Sequence, residues 1–554
     1  MSKNLSELSG RKGLKYNLFD ELGKLSIEDG TPNKDALAKA ADEFLVGKAN
    51  TYGTATFYDF MRPENKGKKA YVCNGSACLC AGTQDDVRTE LEKHLKPEEI
   101  GDMCCLGRCH ENSAFHIDGK NYSAKTASEI AQIVSGGKQN GIQGNQDKYN
   151  IECHGAQVLT TPFTDVDTYY GLLLSMIERG QDACLEDIKK SNIRGRGGAG
   201  FPMWIKLDGC RKQEADQKFI VCNADEGDPG AYTDRYLLEE QPHSVLFGMM
   251  VAGYITGADY GALYVRAEYP ESIEIVEESI KDLYAKGWLG EDIKGTGFNY
   301  NFKVIKAQGA YICGEETALL NSIEGQRPEV RVRPPYPVVN GLFNKPTIVN
   351  NVETLAAVHY ILEKGGDQYA SIGRGKSTGT KLLSLDSHFN KPGMYEVDMG
   401  TPLKDVVYDI AGGFKKPVKA VHIGGPLGGL VPTHKIEDLT VDFESFAEEG
   451  FLLGHASMLC VPEDFPMVKY MEHLFEFTSH ESCGKCFPCR LGAKRGSEMF
   501  HKAQHDDYKI DRELLNDLIH TMETGSLCAL GGGVPLPIRN GLQYFDEELK
   551  EFLV

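Results

Sequence analysis

Eight of the sixteen cysteines in this 554-residue chain fall into two spaced sets. Cys483, Cys486 and Cys489 read C-x2-C-x2-C within ESCGKCFPCR, and Cys528 in GSLCALGGG supplies a remote fourth thiolate. That spacing is a 4Fe–4S signature, with a structural zinc as the alternative from spacing alone. Cys73 and Cys78 read C-x4-C, and Cys105 and Cys109 read C-x3-C. Two pairs on glycine-containing loops suit a 2Fe–2S cluster, because such loops bring backbone amides to the sulfurs. A compact zinc knuckle fits this spacing less well. The other cysteines, Cys80 and Cys104 among them, read as small buried hydrophobes.

A second chemistry sits at residues 194–201, RGRGGAGF. Gly195, Gly197, Gly198 and Gly200 leave the backbone bare, so its amides can approach a phosphate or a flat ring. Arg194 and Arg196 add charge for a phosphate. Gly195, Gly197 and Gly200 satisfy G-x-G-x-x-G, but residues 183–192 before them read as an amphipathic helix, not the strand of the dinucleotide fingerprint. A glycine-rich surface loop is the plain alternative. Three later stretches add polar groups at element edges, as a ligand rim requires. KFIVCNADEGDP (218–229) is a short strand opening into Asn223, Asp225, Glu226 and Asp228. YICGEETALLNSIEG (311–325) places Glu315 and Glu316 in the first turn of a helix, and NNVETL (350–355) opens another. A nicotinamide gives up two electrons as a hydride, whereas a cluster accepts one at a time. Flavin does both, so a nucleotide site and clusters on one chain imply a flavin converter.

These four blocks, in this order, resemble the flavin subunit of NADH dehydrogenases: the FMN-binding subunit of respiratory Complex I and its relatives in soluble NAD-linked hydrogenases and formate dehydrogenases. The resemblance runs from about residue 51 to residue 554, and the N-terminal part resembles the thioredoxin-like ferredoxin subunit of Complex I, fused here to the flavin subunit. It implies FMN against Gly195, Arg196, Gly197 and Lys206, with Asn223, Asp225, Glu226, Gly314, Glu315, Glu316, Asn350 and Asn351 around it. It implies NAD(H) on Phe201, near Glu226, Asp228, Glu316, Arg333 and Tyr336. The flavin then carries the chemistry, with Glu226 and Glu316 in support and no side-chain nucleophile or acid. Electrons pass to the 4Fe–4S cluster, and the 2Fe–2S cluster stores one or serves another partner. The implied partners are redox subunits, ferredoxin-like and of hydrogenase or formate dehydrogenase type. An electron-bifurcating subunit and, in another class, a zinc-stapled nucleotide-binding scaffold are the alternatives. Carboxylates Glu226, Asp228 and Glu316 on the ribose side favour NADH over NADPH by repelling a 2′-phosphate. Asp228 stands where Complex I usually has Glu, Gly209 where an aromatic is common, and Tyr336 where Phe is common.

The elements expected to position these groups make an α/β multidomain chain. Residues 1–135 hold a helical N-terminus and the thioredoxin-like 2Fe–2S domain, and 136–150 are a glycine-rich linker. Residues 151–366 form the α/β FMN- and NAD-binding domain, 367–460 a β-grasp-like domain, and 461–554 a helical 4Fe–4S bundle. The net charge of −20 argues against nucleic-acid partners. The opening residues are polar, without the apolar core of a signal peptide. Residues 245–265, the most apolar window, are broken by Thr256 and Asp259 and read as buried, not as a membrane span. A cytoplasmic protein without membrane insertion is expected.

Overall fold

The computed structural model describes residues 3–29, 32–136 and 148–554. Residues 137–147 of the expected linker lie outside the described residues. Leu18–Asp29, Lys34–Phe44 and Lys48–Ala55 are helices, the second capped by Asn33, whose side chain accepts from the Ala36 N–H. They bury Leu18, Phe19 and Phe44 in one core with Tyr264, Cys313 and Leu319, which belong to the flavin domain.

In the thioredoxin-like domain, strand Ala70–Cys73 pairs in parallel with Ile100–Met103 and antiparallel with Phe115–Ile117. Parallel pairing ends both first strands at the same edge, setting Cys73 opposite Met103, just before the Cys105 loop. Helix Ala127–Val134 starts on a capping box in which Thr126 and Glu129 satisfy each other's amides.

The flavin domain holds a four-stranded parallel sheet in the order Asn301–Lys306, Tyr260–Val265, Phe219–Ala224, Thr347–Asn351. In open α/β sheets ligands sit beyond the carboxyl ends of the strands. Here those ends carry Asn223, Asp225 and Glu226 on one strand, and Asn350 and Asn351 on its neighbour. The apolar window divides into helix Pro242–Thr256 and strand Tyr260–Val265, both buried. Among the described residues no helix is long and apolar enough to cross a membrane.

The β-grasp-like sheet is six-stranded and mixed. Its last strand is Ile151–His154, which pairs in parallel with Gly393–Asp398. The sequence expectation had grouped that segment with the flavin domain. The buried Glu396 carboxylate explains the difference: it accepts the amides of Val158, Leu159 and Thr160 at 2.8–3.0 Å and pins the segment to this sheet.

Helices Met467–Glu481, Phe487–His505, Arg512–Gly525 and Pro535–Tyr544 form the C-terminal bundle. The last of them stops at Tyr544 and gives way to the short helical turn Asp546–Leu549.

Candidate functional site

The glycine stretch closes on itself, with the Gly195 N–H donating to the Phe201 carbonyl at 2.9 Å. Gly198 has φ +107° and Gly200 φ +59°, values a side chain resists. A Cβ on Gly197 would lie 3.0 Å from Asn351 Cβ, and one on Gly198 3.6 Å from Gly454. The loop is thus a bare cradle wedged between the flavin sheet and the β-grasp-like domain. The charge expected there for a phosphate is already engaged. Arg194 donates to the Gly200 carbonyl at 2.7 Å and to Glu444 at 2.5 Å, over the Phe443 ring. Arg196 is buried and donates to the Tyr369 hydroxyl and the Thr378 carbonyl. Both guanidiniums brace the loop, and the Arg196 N–H donates to Thr354 Oγ1 at 2.8 Å, so what the loop offers a ligand is its bare glycine face.

The strand ends converge on this cradle. Asn223 Nδ2 donates to the Gly314 carbonyl at 2.8 Å, joining two of the expected blocks. Glu315 caps helix Glu316–Ile323 by accepting the Thr317 and Ala318 amides at 2.9 Å. Asn351 caps helix Val352–Ala356 through the Glu353 amide, while its Nδ2 donates to Asp234 at 2.7 Å. Two buried polar atoms, Asn350 Nδ2 and Asp225 Oδ2, have no partner. Unpartnered buried groups beside a glycine cradle fit a polar, flat-ringed cofactor such as FMN.

On the rim, Glu316 lies between two cations: Lys206 at 3.2 Å and Arg333 at 3.1 Å. Phe201 and Tyr336 are 46 % and 55 % exposed, leaving ring faces free to stack. Of the other two carboxylates expected at the ribose, Glu226 is buried and Asp228 is half-buried with its charge turned to a neighbour. Asp228 accepts from the Tyr311 hydroxyl at 2.7 Å, and burial raises its pKa. Glu226 is 5 % exposed and accepts from the Asp234 and Arg235 amides and the Tyr269 hydroxyl at 2.9–3.1 Å. Burial, then the Asp234 charge, pushes Glu226 up to about 7. Asp234, Tyr269, Tyr311 and His455 were not singled out from the sequence. Each is an ordinary residue of its element, and only the tertiary fold brings it to the site.

The cysteines assemble as their spacing requires. Cys105 Sγ and Cys109 Sγ stand 3.4 Å apart, and the Gly107 N–H points at Cys105 Sγ from 3.5 Å. Cys73 lies between Cys78 and Cys105, and all four are buried and free of disulfides. This loop is fastened to the flavin domain: Arg235 donates to the Gly107 carbonyl at 2.9 Å and Arg266 to the Cys104 carbonyl at 3.0 Å. In the C-terminal domain, Cys483 and Cys486 lie between two helices. Cys489 is in the first turn of the second, and Cys528 precedes the short helix Ala529–Gly533. A Cβ on Gly531 would fall 3.0 Å from Cys489 Sγ, so that glycine keeps the site open. Cys483 and Cys489 share a core with Ile312 and Cys313, which lead into Gly314 and Glu315.

Family models match three segments: the Nuo51 FMN-binding domain at residues 188–360, the NADH-ubiquinone oxidoreductase-F iron-sulfur binding region at 469–552, and the thioredoxin-like [2Fe-2S] ferredoxin at 14–138. The F 2 subunit of the NADH-quinone oxidoreductase of Rhizobium meliloti (strain 1021) is 39% identical over 402 residues, which are 72% of this chain and 95% of that protein. The chain belongs to the family of NADH-quinone oxidoreductase F subunits. Within the family it is also similar to NADP-reducing hydrogenase subunit HndC of Solidesulfovibrio fructosivorans, 42% identical over 364 residues, 65% of this chain and 74% of that one. The crystal structure of an NAD+-reducing [NiFe]-hydrogenase in the H2-reduced state superposes with a TM-score of 0.84 at 28% identity, covering 96% of this chain and 93% of that chain. This member of the family is therefore an FMN- and iron–sulfur-dependent NADH oxidoreductase that passes electrons to partner proteins. The fused 2Fe–2S domain and the 4Fe–4S region agree with the resemblance read from the sequence.

Proposed function

We propose that this protein is the NADH-oxidising module of a cytoplasmic complex of the soluble hydrogenase or formate dehydrogenase type. The carrying observation is that an NAD+-reducing [NiFe]-hydrogenase chain matches it from end to end, ferredoxin domain included, over 96% of its length. When bound, FMN supplies the conversion of a hydride into single electrons.

The residues of the chain have separate tasks. The bare backbone of Gly195, Arg196 and Gly197 cradles the cofactor, Asn350 Nδ2 supplies a free donor, and Asn223, Gly314 and Asn351 hold the rim together. Phe201 and Tyr336 stack the nucleotide, Glu316 and Arg333 meet its ribose and phosphates, and Lys206, held by Glu316 and the Val349 carbonyl, meets the flavin. Tyr311 packs edge-on against Phe477 at 4.9 Å and keeps water from the path to the 4Fe–4S cysteines. Cys483, Cys486, Cys489 and Cys528 hold that cluster, and Cys73, Cys78, Cys105 and Cys109 hold the 2Fe–2S cluster. Residues 151–160 go with the β-grasp-like unit, and the flavin domain begins after them.

Anaerobic purification from the native host tests the reading. Flavin and iron–sulfur absorption, NADH-dependent dye reduction and a co-purifying hydrogenase or formate dehydrogenase subunit are expected. Co-purification with a membrane-bound quinone-reducing arm instead would overturn it.

A further inference from the structure

Beside the glycine cradle Glu226 belongs to a buried group, with His455 and Asp234, to which nothing above gives a task. His455 is 5 % exposed, with Nε2 standing 3.5 Å from Asp234 Oδ2 and 3.7 Å from Glu226 Oε1. Neither ring nitrogen of His455 is hydrogen-bonded, and Asp234 Oδ1 is also unpartnered. Three elements deliver the group. Glu226 follows strand Phe219–Ala224, Asp234 lies in the first turn of helix Thr233–Glu240, and His455 precedes strand Ser457–Pro462.

Two contacts fix it next to the cofactor cradle. A Cβ on Gly198 would be 3.8 Å from the His455 backbone nitrogen. Asn351, whose side chain touches Gly197, donates to Asp234. Lys381, itself paired with Glu353, and Asp228 also face His455, and the Tyr269 hydroxyl faces Glu226. Two carboxylates against one imidazole, out of water, cannot all hold full charge without a shared proton. Burial pulls His455 down, but Asp234 and Glu226 outweigh that and the Lys381 charge and hold it at about 9, while Glu226 sits at about 7. The proton occupancy of the group is therefore poised near neutrality.

We propose that Glu226, His455 and Asp234 form a redox-linked proton acceptor for the flavin, binding one solvent proton when a hydride arrives and releasing it when the electrons leave. The charges balance. NADH gives up a hydride, two electrons and one proton, and leaves as NAD+, so the flavin side gains one negative charge. The proton taken up by the group offsets that charge within a few ångströms, where dielectric screening is weak. When the two electrons depart singly to the 4Fe–4S cluster, the hydride's proton and the group's proton both return to solvent. The proposal rests on FMN lying against the glycine loop, and the FMN content of the wild type reports that placement separately.

The test is the flavin midpoint potential, followed optically against pH in the full-length, FMN-loaded protein. Near neutrality the wild type should fall more steeply than His455→Gln by up to about 30 mV per pH unit, one extra proton on a two-electron couple. Asp234→Asn keeps an acceptor oxygen for Asn351 but removes a charge, so its steep region should move to lower pH. That second variant covers a His455→Gln protein that fails to fold. Potential–pH plots of the folded variants that superpose on the wild type would overturn the proposal. So would a divalent cation, other than iron, that co-purifies with the wild type and is lost in Asp234→Asn.

Discussion

Arg333 Nη1 lies 3.1 Å from Glu316 Oε1, and Lys206 holds the other oxygen of the same carboxylate at 3.2 Å. Glu226 is buried and half-buried Asp228 accepts from Tyr311, so Glu316 is the one of the three expected carboxylates whose charge faces cations on the rim. Its repulsion of a 2′-phosphate is partly offset by its own two cations. The expected preference for NADH is therefore modest, about fivefold in kcat/KM, or ~1 kcal/mol at a half-solvated site. Glu316→Gln should abolish it and release Arg333 towards the phosphate. An unchanged NADH-to-NADPH ratio in that variant would show that Glu316 does not face the 2′ position.

The 4Fe–4S assignment predicts a split between two activities. Cys486→Ser should leave flavin reduction by NADH intact and stop transfer to the partner protein. Single-turnover bleaching of the flavin and reduction of the partner, followed separately, report the two steps. Partner reduction at the wild-type rate rules the assignment out.

The 2Fe–2S centre calls for a point variant, not a truncation. A chain begun near residue 150 would lose Leu18, Phe19 and Phe44 from the core they share with Tyr264 and Leu319, and would leave Arg235 without the Gly107 carbonyl. Such a chain should be unstable whatever the cluster does. Cys78→Ser removes one thiolate and keeps those contacts. It should lose the 2Fe–2S paramagnetic signal and retain NADH-dependent dye reduction. Loss of dye reduction in a folded, FMN-loaded protein counts against a side position for this cluster.

Legibility in the sequence followed the range of the signal. The cysteine sets are local patterns, and strand Ala70–Cys73 delivers the first of them. The two helix starts at YICGEETALL and NNVETL were likewise visible, though Glu315 is the cap before its helix and not part of the first turn. What could not be read was long-range. Arg194 and Arg196 look like phosphate ligands in a glycine loop, yet Glu444, Tyr369 and Thr378, far along the chain, take up their donors. Strand Ile151–His154 is anchored by Glu396, some 240 residues away, and nothing local reveals that partner. Glu226 and Asp228 look like free rim carboxylates, yet the hydroxyls of Tyr269 and Tyr311, remote in the chain, take up their oxygens.

Gly198 tests the cradle directly. At φ +107° with Gly454 behind it, Gly198→Ala should cost about 1–3 kcal/mol in local strain. The expected result is a protein with both clusters but weakened FMN binding, read by flavin fluorescence after gel filtration. Full FMN occupancy in the variant would place the flavin elsewhere.

The seam between the ferredoxin loop and the flavin domain carries a pH dependence. Glu239 is buried and pairs with Arg235 at 3.0 Å and with Lys148, and it also accepts from Tyr149 and Ser272. Burial alone would raise its pKa, but the Arg235 and Lys148 charges dominate and hold it at about 2, against an ordinary value of 4.5. A carboxylate held down in the folded state adds stability that is complete above the unfolded pKa and lost as pH falls through the folded one. The window is therefore pH 4.5 down to about 2, with up to about 3 kcal/mol at stake. Glu239→Gln should lower the temperature at which the 2Fe–2S visible circular dichroism disappears at pH 7, and the gap to wild type should close as pH falls through that window. A gap that stays constant with pH would assign the loss to packing and not to the charge of Glu239. Because Arg235 also donates to the Gly107 carbonyl, the variant should shed the 2Fe–2S cluster before FMN as the protein is warmed.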